Sequence, residues 1–157
     1  MRQRAQAIIV RDQAMLFAFG IVSSHNALRH SFIGGGIEDG ETPEEAVLRE
    51  LMEEAQVTGE IIFKFNRELA SDHHTFLVDI RIQICKLGYD PEEEHLTFEE
   101  KDLKDLLWIS LKDAHLFTEC DRDYIKILIE ECKERDYHPE WVDNLKEILK
   151  EPCGEIQ

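Results

Sequence analysis

The chain has 157 residues, of which 43% are hydrophobic and 33% are charged, and its formal net charge is -16. This length and balance are typical of a single folded domain, which we expect to span residues 1–157, and they exclude a disordered chain. Because 34 acidic residues outnumber 18 lysines and arginines, we expect no nucleic-acid polymer as a partner. An anionic small molecule could still bind if cations bridged it to the carboxylates.

The cysteines and the hydropathy pattern indicate a cytoplasmic protein. The four cysteines, Cys85, Cys120, Cys132 and Cys153, show no paired metal-binding spacing. The N-terminus lacks the apolar run of a signal peptide, and no segment approaches the roughly 20 apolar residues that cross a bilayer. We therefore expect reduced thiols and no membrane association.

Three strands are predicted before the first helix. The apolar runs between Arg4 and Gly20 read as a hairpin of two strands that turns at Asp12 and Gln13. The run LRHSFIG, which ends at Gly34, is a third strand. Alternate side chains among Arg29, His30 and Phe32 on that strand could reach the phosphates of a nucleotide or stack on its base, as Phe32 could. The competing interpretation is a core aromatic beside a surface cation, and the sequence leaves both open.

A glycine-rich turn then leads into a predicted helix. Thr42-Pro43-Glu44-Glu45 has the form of a capping box with proline at the first helical position. Helical spacing puts Val47, Leu48, Leu51 and Ala55 on one apolar stripe. The helix should therefore begin at residue 43 and pack its apolar stripe on the core.

The same helix places Glu50, Glu53 and Glu54 on a separate arc. Like charges three and four positions apart cost a few tenths of a kcal/mol per pair, unless a divalent cation lies among them. Mg²⁺ and Mn²⁺ prefer such hard oxygen ligands. Taken alone, three glutamates are more often a solvated face than a metal site.

After the helix, strands are predicted from Thr58 to Leu69 and from His73 to Leu87, as a long antiparallel pair. Residues 89–106 read as an acidic loop, residues 106–110 as a strand, and residues 121–150 as two amphipathic helices with a break at His138-Pro139. The fold class is therefore α/β (α+β), with a mixed sheet covered by helices. The C-terminal helices could cover this sheet or form a homodimer contact.

Alternation would point His73 and His74 to opposite faces, which disfavours a shared metal role.

The glycine turn and the acidic helix together resemble the signature of the Nudix hydrolase family, the Nudix box. The matching residues are Gly35, Glu41, Arg49, Glu50, Leu51, Glu53, Glu54 and Val57. Two positions depart from the family pattern: Gln56 replaces a glycine, and Ile33 replaces a proline that is common before the glycines. We expect Gln56 to be less able than glycine to form a left-handed helix end.

The resemblance implies an α/β/α sandwich that hydrolyses a phosphoanhydride in a nucleoside diphosphate linked to another group, using Mg²⁺ or Mn²⁺. Glu50, Glu53, Glu54 and the Gly34 carbonyl would then hold the metal, and Glu41 with Arg49 would brace the glycine loop. Glu50 or Glu53 would accept the proton. The substrate would lie near Arg29, Phe32, Gly35 and Gly36.

Two matters stay open at this level. A later acid often completes the site in this family, which points to Glu99 or Glu100, with Glu92, Glu93 and Glu94 as competitors. The alternative function is a Nudix-like module that binds a nucleotide metabolite without turnover, motivated by Gln56, Ile33 and the absence of the family's substrate-specific marks.

Overall fold

The computed structural model describes residues 2–22, 27–88 and 103–153. Within these ranges the strands are β1 (Arg4–Ile8), β2 (Val10–Arg11), β3 (Ala14–Val22), β4 (Ala27–Ser31), β5 (Ile33–Gly36), β6 (Glu60–Lys64), β7 (His73–Asp79) and β8 (Leu103–Ser110). The α-helices are α1 (Pro43–Ala55), α2 (Glu119–Glu134) and α3 (Trp141–Lys150). None of the helices in the described ranges is long and apolar enough to span a bilayer.

The strands form two four-stranded sheets. The first has the order β5-β1-β7-β6 and is mixed, because β1 pairs parallel with β7 and antiparallel with β5. In the second sheet, β3 pairs antiparallel with β2, β4 and β8. The predicted fold class, a mixed sheet with helices, is confirmed.

The two faces of the sheets pack against different helices, because successive side chains of a strand point to opposite faces. Ala5, Ala7 and Ile9 pack with the buried face of α1, whereas Ile8 packs in the cluster that includes α2 and α3. The same division separates Leu16 from Phe17 on β3. The sheets therefore lie between α1 on one side and the C-terminal helices on the other.

The N-terminal hairpin differs from its prediction in one respect. Asp12 and Gln13 do form the turn, with φ of 52° and 60°, but this turn joins only β2 to β3. At the buried Ile9 the chain leaves β1, which pairs with β5 and β7 in the other sheet. The third predicted strand divides similarly at Phe32 into β4 and β5. Such divisions depend on long-range pairing.

The later elements match their predictions in type more than in length. β6 and β7 are antiparallel, but β7 ends at Asp79, and Arg81 has a positive φ of 56°. β8 begins at Leu103 rather than residue 106, and residues 89–102 lie outside the described ranges. The two C-terminal helices are present as expected.

The start of α1 is fixed by the predicted capping box. The Thr42 hydroxyl accepts from the Glu45 amide at 3.1 Å, and the Glu45 carboxylate accepts from the Thr42 amide at 3.0 Å.

Replacing Thr42 with Ala should lower the free energy of unfolding by about 1 kcal/mol. Urea denaturation measures this, with Thr42→Ser as the control that keeps the hydroxyl. Equal losses in both variants would contradict the role of the side-chain oxygen.

Candidate active site

The glycine strand β5 lies against α1 and brings backbone and carboxylates into contact. A Cβ atom added at Gly35 would lie 2.4 Å from Oε1 of Glu50, so a side chain at this position would displace the carboxylate from the strand. The Gly34 amide donates to Oε1 of Glu54 at 3.0 Å. The absence of side chains on the strand therefore lets two acids of the helix approach its backbone.

Arg49 joins the glycine strand to the turn that follows it. Its Nε donates to Oε2 of Glu41 at 2.7 Å, and its Nη2 donates to Oε1 of Glu41 at 2.9 Å. Nη2 also donates to the carbonyl of Gly36 at 3.1 Å. The hydrogen bond from Arg49 lowers the pKa of Glu41, against the opposing effect of desolvation. This paired geometry holds the turn against α1.

The same guanidinium contacts two further acids. Nη1 of Arg49 lies 3.0 Å from Oε1 of Glu50 and 3.2 Å from Oε2 of Glu53. One positive charge is therefore shared among three closely bound carboxylates, each no more than a quarter exposed, and the more exposed Glu38 lies farther off, with Oε1 3.9 Å from Nη1. Glu54 makes no contact with Arg49 in the described residues and relies on the Gly34 amide.

Two of these carboxyl groups hold their protons unusually tightly. Desolvation raises the pKa of Glu54 to about 8, with a further contribution from the charge of Glu50 and a partial offset from the Gly34 amide and Arg4. Desolvation likewise raises the pKa of Glu50, although Arg49 counteracts it. The ionised forms of Glu50 and Glu54 are thus desolvated by more than the nearby cations and hydrogen bonds compensate.

This donor set suits a hard divalent cation. Carboxylate oxygens are the preferred ligands of Mg²⁺ and Mn²⁺, and desolvation raises the pKa of both Glu50 and Glu54, so a cation that joined them would offset the cost of their ionised forms. Within the described ranges, no three His, Cys, Asp or Glu side chains already converge as a bound ion requires. Glu50 and Glu53 would therefore have to turn partly away from Arg49 to join Glu54.

The C-terminal end of α1 shows the geometry of the turn at Gln56. Gln56 does adopt the left-handed conformation, with φ 55° and ψ 39°, and its amide donates to the carbonyl of Met52. Its side-chain Nε2 donates to the carbonyl of Leu87 at 2.8 Å, which holds the residue in place. Gln56 thus forms the cap that we expect to be harder for glutamine than for glycine, because a long-range hydrogen bond supports the strained residue.

The predicted substrate positions separate in the structure. Arg29 is exposed on β4. Phe32 is 5% exposed, and its ring packs on Phe17 and Tyr124. These contacts favour the core interpretation of Phe32 over base stacking. Gly35 and Gly36 are partly buried beside Glu50 and Arg49.

Other candidates lie elsewhere or outside the described ranges. Glu99, Glu100 and the competing acids at 92–94 fall in residues 89–102, outside the described ranges. His73 contacts the Tyr124 hydroxyl and His74 contacts Gln3, in keeping with opposite faces of β7. Sequence reasoning passed over Arg4, although strand alternation on β1 could have placed it on the same face as Gln6.

Comparison with known proteins identifies the family. The NUDIX domain model matches residues 1–128. The chain therefore belongs to the NUDIX family, and it is an enzyme of the Nudix hydrolase type, which acts on phosphoric anhydrides. A search of curated proteins found no match.

Solved structures share the fold at low sequence identity. A MutT protein from Methanosarcina mazei Go1 is 22% identical with a TM-score of 0.54, over 86% of this chain and 94% of that one. A C. elegans Ap4A hydrolase is 19% identical with a TM-score of 0.51, over 94% and 96% of the two chains. The crystal structure of an ADP compounds hydrolase is 17% identical with a TM-score of 0.53, over 87% of this chain and 75% of that one. At these identities the likeness concerns the fold alone.

Proposed function

We propose that this enzyme hydrolyses the phosphoanhydride bond of a nucleoside diphosphate linked to another group, with Mg²⁺ or Mn²⁺ held by Glu50, Glu53 and Glu54. One observation carries the proposal: a nearly side-chain-free strand meets a helix whose Glu54 has its pKa raised to about 8. Ionising a carboxyl group that is desolvated to this degree is costly unless a cation joins it. The Gly34 carbonyl is a further proposed ligand.

The residues of the chain divide the remaining work. Arg49 and Glu41 fix the glycine turn, so that the strand backbone and the acids keep a constant spacing. Glu50, Glu53 and Glu54 would hold the cation, which would supply positive charge to the phosphate oxygens and acidify the attacking water. Water oxygen bonds to phosphorus, the bridging P–O bond breaks, and a carboxylate accepts the released proton. Glu50 is our first choice for this acceptor, because its raised pKa brings it closer to neutrality.

The alternative function is a binding module without turnover, and two of the three observations that favoured it, Gln56 and Ile33, no longer support it. Gln56 forms the left-handed cap despite its side chain, and Ile33 is fully buried in the cluster beneath α1. Neither departure from the family pattern disturbs the contacts of Glu50 or Glu54. Hydrolysis is therefore the better proposal.

A product assay separates hydrolysis from binding. Purified protein with Mg²⁺ is incubated with nucleotide sugars, nucleoside triphosphates, ADP derivatives and dinucleoside polyphosphates, and nucleoside monophosphate is quantified by chromatography. We expect release from at least one member, lost when EDTA removes the metal. Calorimetric binding of a panel member without any product would instead support the binding module.

A further inference from the structure

Arg4 lies beside the glycine strand with its guanidinium held by two hydrogen bonds. It pairs in register with Gly36, and its Nη2 donates to the carbonyl of Phe32 at 3.0 Å. Its Nε donates to Oε1 of Gln6 at 3.4 Å. The side chain is only partly buried, so its position is fixed without full removal from solvent.

Arg4 and Glu54 form hydrogen bonds with backbone groups of residues that are two positions apart in the sequence. Arg4 binds the carbonyl of Phe32, and Glu54 binds the amide of Gly34. A guanidinium and a proposed metal ligand are therefore attached to neighbouring backbone groups at the start of β5. An anion at this position would meet positive charge from Arg4 on one side and from the metal on the other.

A chain of hydrogen bonds, with a buried one at its centre, orients Arg4. Glu68 accepts from the Thr75 hydroxyl at 2.6 Å, and this hydroxyl can then only accept from Nε2 of Gln6, at 3.0 Å. The Gln6 amide is thereby oriented with Oε1 toward Arg4. Gln6 is 4% exposed and Thr75 is fully buried, so water does not compete with the hydrogen bond between these two side chains.

We propose that Arg4 is a substrate-binding residue that contacts a phosphate of the substrate, and that Gln6 and Thr75 are its positioning residues. The inference rests on the proposed function and adds a specificity for the diphosphate group. A planar guanidinium binds phosphate oxygens through two parallel N–H donors, and orienting it in advance lowers the cost of binding. In a chain of net charge -16, such a fixed cation would direct an anion to the metals.

Arg2 is a weaker candidate for the same task. Its guanidinium covers Gly36, where an added Cβ would lie 2.3 Å from Nε. However, Arg2 is exposed and makes one hydrogen bond in the described residues, to the carbonyl of Ile37 at 3.4 Å, whereas Arg4 makes a 3.0 Å bond in addition to its own 3.4 Å contact. Because nothing orients it as Gln6 orients Arg4, we assign the phosphate contact to Arg4.

The test uses calorimetry with Mn²⁺ and methylenediphosphonate, a pyrophosphate analogue that cannot be hydrolysed at its bridge. Arg4→Met should weaken binding of the diphosphonate to the Mn²⁺-loaded protein by at least about tenfold. Mn²⁺ affinity itself should stay unchanged or increase, because a cation near the carboxylates has been removed. Arg81→Met is the matched control, since Arg81 is exposed beyond the other end of β7 and pairs with Glu60.

A second variant tests the orienting chain. Thr75→Val removes the hydroxyl but keeps the shape, so the Gln6 amide loses its fixed direction, and diphosphonate binding should weaken about threefold or more. The inference is overturned if Arg4→Met binds the diphosphonate within twofold of wild type. It is also overturned if Arg4→Met weakens Mn²⁺ and diphosphonate equally, because that would indicate a purely structural role.

The outcomes for Arg4 and for hydrolysis are separable. Diphosphonate binding that depends on Arg4, in a protein that releases no product from any substrate, would support the phosphate contact and contradict only the proposed hydrolysis. Turnover by wild type with unimpaired binding in Arg4→Met would contradict only the contact. Wild-type protein that fails to bind diphosphonate with Mn²⁺ would contradict both.

Discussion

Replacing Glu54 with Gln should stabilise the metal-free protein while abolishing its activity. The pKa of Glu54 is raised from 4.5 to about 8 in the folded protein, chiefly by desolvation. Between these pH values the unfolded chain releases the proton and the folded chain keeps it. The free energy of unfolding therefore falls by up to about 1.4 kcal/mol per pH unit as pH rises, and levels off above the folded pKa. Glutamine has no such proton.

The stability arm compares urea unfolding in EDTA at several values from pH 5 to pH 8. The free energy of unfolding of the variant should exceed that of wild type by an amount that grows steadily with pH and reaches about 2 to 4 kcal/mol at pH 8. Glu44→Gln is the control, because Glu44 is an exposed acid in the first turn of the same helix. Parallel pH curves for the variants at positions 44 and 54 would show that burial of Glu54 does not cost stability.

The activity arm uses the same variant with Mg²⁺ and a substrate that wild type cleaves. Loss of a proposed metal ligand should reduce kcat by at least about a hundredfold and remove the rise in melting temperature that we expect Mg²⁺ to give wild type. Glu53→Gln should behave similarly in activity. If both variants retain wild-type turnover, the ligand assignment is wrong.

Replacing Arg49 with Met should have the second largest effect. The change leaves Glu41, Glu50 and Glu53 without their shared cation and the Gly36 carbonyl without its donor. We expect the free energy of unfolding to fall by about 2 kcal/mol and kcat to fall by at least about tenfold below the melting transition. Lys at this position keeps the charge but loses the paired geometry, so it should rescue little.

A double-mutant cycle with Glu41→Gln isolates the central pair. The two hydrogen bonds between Arg49 and Glu41 predict a coupling free energy of about 1 to 2 kcal/mol in urea denaturation. The cycle at Arg81 and Glu60, an exposed pair with one hydrogen bond, is the comparison. Equal coupling in the two cycles would contradict a bracing role for Arg49.

Local signals account for the parts of the fold that the sequence predicts well. The Thr42 capping box depends on four adjacent residues, and the turn at Asp12 and Gln13 depends on two, so both are readable from the sequence. The acids of α1 follow from helical spacing in the same way. Their locations need no knowledge of the rest of the chain.

Long-range contacts account for what the sequence did not reveal. The separation of β1 from β2 at Ile9 depends on pairing with β5 and β7. The left-handed conformation of Gln56 is held by Leu87, and the orientation of Arg4 depends on Thr75 and its partners far along the chain. No local pattern encodes a partner at such a separation.

The account depends on a divalent cation lying between the carboxylates of α1 and a bound diphosphate. Crystals soaked with Mn²⁺ and methylenediphosphonate test this directly through anomalous scattering at the manganese edge. We predict an anomalous peak within coordination distance of Glu54 and at least one of Glu50 and Glu53, with a diphosphonate oxygen on the same ion. Manganese found only at other acids, with these three side chains still arranged around Arg49, would contradict the account.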